Sequence, residues 1–250
     1  MKHFKLVFTL SVLSIILPFV ANAATLIETH GEAGTTEKMW VEGKKMRAGI
    51  TPAGEYILMD MGKKKIYIID ANKKEIVDAT NFFNANKSIP GGLKVSVTHM
   101  GSGPTIAGYA TEKYQLSVNG EQCEQAMLSK KALKDARLGP MLEAVSTVNF
   151  NPTPPAFLGN CEKAETLFAK RMKKLGMPLG SINQDGKMTG KVKRIVRNAR
   201  LPAGGMAVPK GYRMISMEQK MQETLGRTGG PGAPAGMAPD MKTMMEQMAR

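Results

Sequence analysis

The chain of 250 residues has little cysteine, few aromatics and none of the common catalytic signatures. Only Cys123 and Cys161 are present, with no Cys-x-x-Cys pair and three histidines in all. There is no Gly-x-Ser-x-Gly, His-Glu-x-x-His, P-loop or glycine-rich dinucleotide fingerprint. His30 and His99 fall in or beside predicted strands and read as ordinary strand residues. Asp60 and Asp70 stand at strand ends, where aspartate commonly stabilises turns. The sequence therefore predicts no enzyme and no cofactor. Aromatics are 6% of the chain and are not interleaved with its basic residues. With the export signal described below, that argues against a nucleic-acid partner. Beyond the N-terminal segment no apolar run approaches the roughly 20 residues of a spanning helix.

What is present begins with that segment. Lys2 and Lys5 precede "LVFTLSVLSIILPFVA", and Ala21-Asn22-Ala23 is a small-x-small site. Residues 1–23 read as a secretory signal peptide cleaved after Ala23, which predicts an exported, periplasmic protein. In an oxidising compartment Cys123 and Cys161 are expected to pair, with free thiols or a metal site as the alternatives. Closing that loop is worth about 4 kcal/mol in the chain-entropy model. Losing Lys2 and Lys5 and no acid takes the net charge from +14 to +12. Such a surface favours anionic partners, an anionic membrane surface among them.

The pattern from Thr25 to Thr80 is a run of short strands. Tight turns are expected at Glu42-Gly43-Lys44-Lys45, Met61-Gly62-Lys63 and Asp70-Ala71-Asn72. "LKVSVTHM" and "GYATEKYQLSVNG" continue the meander, and Asn119-Gly120 returns the chain into "EQCEQAMLS". Ser129 caps a helix over "KKALKDARLG", and "PMLEAVSTV" begins another. "CEKAETLFAKRMKKLG" is a third, with Cys161 in its first turn and Gly176 and Pro178 ending it. "GKVKRIVRNARLP" reads as a strand, and "GYRMISMEQK" as the last one. Residues 24–225 form the domain, and 226–250 a flexible Gly/Pro/Met-rich tail.

The whole is expected to be α+β: a strongly curved antiparallel sheet of about eight to ten strands, a half-open β-barrel with helices covering its mouth. Within it, "KIYIID" is apolar without alternation, so both sheet faces need cover. The helices could supply one cover, and the opposite wall or an apolar hollow the other. A filled two-sided core is the plain alternative to a pocket. The candidate lining of that hollow is Trp40, Ile57, Met59, Ile66, Ile68 and Tyr114.

Two stretches carry a family resemblance. "KMWVEGKKMRAGI" followed by "YILMDMGKKKIYIID" resembles the strand-turn module of the lipoprotein-carrier superfamily, the LolA/LolB-like proteins. "TIAGYATEKYQLSVNGEQCEQAMLS", "LGMPLGS" and "AVPKGYRMISM" resemble a secreted bacterial family known as domain of unknown function 4412. The matching positions are Gly108, Tyr109, Lys113, Tyr114, Pro178, Pro209, Gly211 and Tyr212. The resemblance implies a half-barrel enclosing an apolar hollow that takes acyl chains. The function expected is a non-enzymatic periplasmic binding protein. Its partner would be a hydrophobic or amphiphilic small molecule or a lipidated protein. Twenty methionines suggest an alternative, since thioethers select Cu(I). Met241, Met244, Met245 and Met248 would then form a copper site on the tail. A structural partner in envelope assembly is a third reading.

Overall fold

In the computed structural model, residues 24–30, 36–50, 54–81, 92–146, 158–183 and 186–228 are described. The proposed signal peptide and the candidate copper ligands Met241, Met244, Met245 and Met248 lie outside them.

The strands are β1 (Ala24–His30), β2 (Thr36–Glu42), β3 (Lys45–Ile50), β4 (Glu55–Asp60), β5 (Lys65–Asp70) and β6 (Glu75–Asp78). They continue with β7 (Val95–Ser102), β8 (Glu112–Val118), β9 (Glu121–Ser129), β10 (Met177–Ile182), β11 (Met188–Ala199) and β12 (Arg213–Ser216). The helices are α1 (Lys130–Asp135), α2 (Gly139–Val145), α3 (Asn160–Lys163), α4 (Glu165–Met172) and α5 (Met217–Thr228). All twelve strands form one curved sheet in the order β12-β6-β5-β4-β3-β2-β1-β11-β10-β9-β8-β7. It has two ends and is not closed, so a half-open barrel describes it. Every pairing is antiparallel except β12 on β6.

The tight hairpins fall where the sequence places them. Gly43 turns β2 into β3 with φ +58°, and Asn119-Gly120 turns β8 into β9 with φ of +51° and +87°. Ser129 caps α1 as expected, its Oγ accepting a hydrogen bond from Ala132 N at 3.3 Å.

Four features differ from the sequence reading. The sheet has twelve strands rather than eight to ten, and β10 was hidden by Pro178. Proline is tolerated in a central strand at a bulge, and the pairing of β10 with β9 slips between Pro178 and Gly180. The helix after Cys161 is broken at Ala164, whose N–H is shared between the carbonyls of Asn160 and Cys161. The last strand stops at Ser216, where α5 begins. There Gln219 Oε1 accepts from Ser216 N at 2.9 Å, and Ser216 Oγ accepts from Gln219 N at 3.2 Å. That reciprocal box is legible in Ser-Met-Glu-Gln and marks a helix start.

Three apolar clusters hold the fold. The largest joins Ile27, Val41, Met59, Ile66, Met127, Leu179 and Val192 of the sheet to Ala132, Ala136, Leu138 and Met141 of α1, α2 and the turn between them. We call the face bearing it the inner face. Thr25 Oγ1 donates to the Ala136 carbonyl at 2.9 Å, tying β1 to the end of α1. On the opposite face, α3 and α4 pack Ala164 and Phe168 against Leu116, Ala126 and Leu128. The Cys123–Cys161 disulfide pins this helix pair to β9.

The third cluster covers the second face of "KIYIID". Segment 200–212 leaves β11 and crosses the outer face as a strap. Met206 and Tyr212 pack on Tyr56, Leu58, Tyr67, Ile69 and Ile76. Arg47 locks the strap: its Nη1 donates to the carbonyls of Ala203 (2.8 Å) and Gly205 (3.0 Å), with the guanidinium 3.8 Å from the Tyr56 ring centre. Cover for the outer face of these strands thus comes from a loop distant in sequence, not from the helices or an opposite wall.

Candidate functional site on the inner face

Cross-strand register decides which candidate residues share a face, because paired residues point the same way and neighbours along a strand point oppositely. One transverse row on the inner face runs Thr25–Val41–Met46–Met59–Ile66. The next runs Ile195–Ile27–Met39–Ala48–Ile57–Ile68–Val77. Ile57, Met59, Ile66 and Ile68 therefore lie together. Trp40 pairs with Leu26 and Arg47, and Arg47 with Leu58 of the strap cluster, which puts Trp40 on the outer face. Tyr114 packs in the cluster under α3 and α4, also opposite the inner core. The six residues chosen from the sequence do not form one wall.

The two inner rows differ in cover. Val41, Met59 and Ile66 are buried in the cluster to which α1 and α2 contribute, and Met46 is half-buried against it. In the second row Met39, Ala48, Ile57, Ile68 and Ile195 keep part of their surface exposed, while Ile27 and Val77 are buried. The result is a half-covered apolar ledge. Met39 and Ile195 were not singled out in the sequence. Counting parity outward from Ile57 through the paired strands was the signal that could have found them.

Past the ledge the face turns polar with the row Glu55–Asp70–Glu75, of which Asp70 and Glu75 are ion-paired. Lys73 Nζ lies 2.7 Å from Asp70. Glu75 is buried and accepts from Arg213 Nη2 at 2.5 Å and from Lys220 of α5. Arg213 also reaches Glu223 at 3.0 Å, so this network latches α5 to β6 and β12, and Met217 packs on the inner core. The bonds from Lys220 and Arg213 hold the Glu75 carboxyl below its usual range despite its burial. Glu28, buried on the outer face, is held low mainly by its bond from Arg194, whose Nε is 2.5 Å away. Both carboxylates thus add stability that is complete above the ordinary glutamate value of 4.5 and lost as pH falls through their lower folded values. The midpoint of thermal unfolding should therefore drop steeply below about pH 4.5. Glu28→Gln should flatten that drop, and an unchanged slope would show the pair contributes nothing.

A separate groove of about 300 Å³ lies beside the disulfide, lined by Gln115, Gln122, Glu124, Gln125 and Asn183 together with Cys123 and Ile182. Burial pushes the Glu124 carboxyl up, partly offset by a bond to Ser181. Among the described residues no three His, Cys, Asp or Glu side chains gather as a metal site, and no helix is long and apolar enough to cross a membrane.

No family model matches the chain, and no characterised protein matches it in sequence. Solved structures similar to it include an uncharacterized conserved protein from Thermus thermophilus, at 10% identity and a TM-score of 0.41, covering 78% of this chain and 91% of that one. PNGF-II is similar at 14% identity and a TM-score of 0.31 over 81% of this chain, which spans 32% of PNGF-II. The MucA/MucB complex of Pseudomonas aeruginosa gives 9% identity and a TM-score of 0.35, over 77% of this chain and 56% of that one. MucB is thus among the structural neighbours of this chain.

Proposed function

We propose that this is a non-enzymatic periplasmic binding protein whose inner face takes an apolar or amphiphilic guest, an acyl chain or the lipid of a lipidated partner. The observation that carries the reading is the half-covered ledge of Met39, Ile57, Ile68 and Ile195 beside α1 and α2. Exposed apolar area of this kind is stabilised by cover, at about 25 cal/mol per Å² buried. Met59 and Ile66 form the packed floor next to it, with α1 and α2 alongside. In the polar row beyond, the cations that reach Asp70 and Glu75 are already engaged by those acids, so an uncharged or zwitterionic headgroup suits it better than the anionic one a basic rim would hold.

An anionic membrane surface would be met elsewhere. The β2–β3 and β4–β5 turns are joined by Met61 N donating to the Lys44 carbonyl at 2.9 Å, which gathers exposed Lys44, Lys63 and Lys64 at one corner.

The direct variant is Ile68→Lys, which puts a charge on the ledge. Uptake of the apolar dye N-phenyl-1-naphthylamine, read as its fluorescence gain, should fall at least about tenfold in affinity, a loss of about 1.4 kcal/mol. Trp40→Phe on the outer face should leave uptake unchanged. Equal uptake by wild type and Ile68→Lys would refute the site.

A further inference from the structure

We propose that the free edge of β7 is a docking strip for an extended acidic segment of another polypeptide, which joins the sheet as an additional strand. The two edges of the sheet are built differently. β12 is four residues long, runs directly into α5, and carries Arg213, itself tied to Glu75 and Glu223. β7 spans eight residues, Val-Ser-Val-Thr-His-Met-Gly-Ser, with no proline and no Asp, Glu, Lys or Arg. Edge strands are ordinarily blunted by brevity, lysine or proline, and here only the irregularity between His99 and Ser102 interrupts the strand, near its end.

The direction of its backbone groups follows from one bond. Asn119 N donates to the Lys94 carbonyl at 2.9 Å, so Lys94 faces β8. By antiparallel alternation Ser96 and Thr98 face β8 as well, and Val95, Val97 and His99 aim their N–H and C=O groups outward. Among the described residues β8 is the only strand paired with β7. The strip therefore offers three donors and three acceptors at two-residue spacing, the pattern an added strand reads.

Charge selects the occupant. Helix α4 packs on β7, with Phe168 and Met172 in the same cluster as Val95 and Val97. Its Lys170 and Arg171, and Lys174 in the turn that follows, are exposed and have no ion-pair partner among the described residues. A second copy of this chain, itself at +14, would set the same cations against these. An acidic strand would be drawn to them.

The probe is a fluorescein-labelled heptapeptide alternating Glu and Val, with a Lys/Val peptide as control. The Glu/Val peptide should bind saturably by anisotropy, and the Lys/Val peptide about tenfold more weakly or not at all. Val97→Pro removes an outward N–H without touching the β8 ladder and should abolish binding. Amide hydrogen exchange gives the answer without a variant: Val95, Val97 and His99 should become protected only when the peptide is added, and Ser96 and Thr98 should be protected throughout. Absence of Glu/Val binding, or binding that leaves those three amides unprotected, would overturn the proposal. So would a dimer of the free chain that Val97→Pro dissociates, since the edge would then belong to a second copy.

Discussion

Ile69→Ala is expected to destabilise the protein by about 2–5 kcal/mol, whereas Ile68→Ala, one residue away, should cost only about 1–2 kcal/mol. Ile69 is fully buried beneath the strap, between Tyr56 and Ile76, and its removal leaves a cavity that Met206 and Tyr212 must collapse to fill. Ile68 is on the ledge and is already partly exposed, so its truncation forfeits less cover. Denaturant melts of the two variants measure the difference. The order is diagnostic because the residues are chemically identical and differ only in the face they occupy. If Ile68→Ala were the costlier, the inner face would be a closed core and the ledge would not exist.

Removal of the Cys123–Cys161 bridge, as the double alanine variant, is expected to cost about 4 kcal/mol. For a chain of this size that lowers the melting midpoint by about 8–16 °C. The bond joins residues 38 apart in sequence, so most of its contribution comes from restraining the unfolded chain. It also fastens α3 to β9, and Phe168 packs at the base of that attachment. Reduction should act like the double variant, and thermal melts with and without reductant check both. A midpoint unchanged in either experiment would mean that Phe168 and Ala164 alone fix the helices.

These two expectations also separate what local sequence could reveal from what it could not. The β2–β3 and β8–β9 hairpins and the Ser129 cap were legible because each rests on residues within a few positions of one another. The disulfide was legible because only one pairing of two cysteines exists. The unbroken apolar run of "KIYIID" correctly announced cover on both faces. It could not identify the cover, because the strap is more than 130 residues further along and has no periodicity of its own. The parallel pairing of β12 with β6 was hidden for the same reason. Strand β10 was masked by a proline that local rules read as a stop and the bulge accommodates. Trp40 and Tyr114 were placed on the wrong side of the sheet relative to Ile57 because a strand alternates every residue. Only the cross-strand register fixes which parity points inward.

Ile57, Met59, Ile66 and Ile68 fall on one face, and the difference in cover between the two rows emerges only once α1 and α2 are in place. That difference separates the packed floor from the ledge proposed to take a guest.

Native mass spectrometry of the protein purified without detergent tests this most directly. The account predicts a bound species of lipid mass on the wild-type chain, lost in Ile68→Lys and retained in Trp40→Phe. A bare mass in every preparation, or a lipid that stays bound to Ile68→Lys, would contradict it.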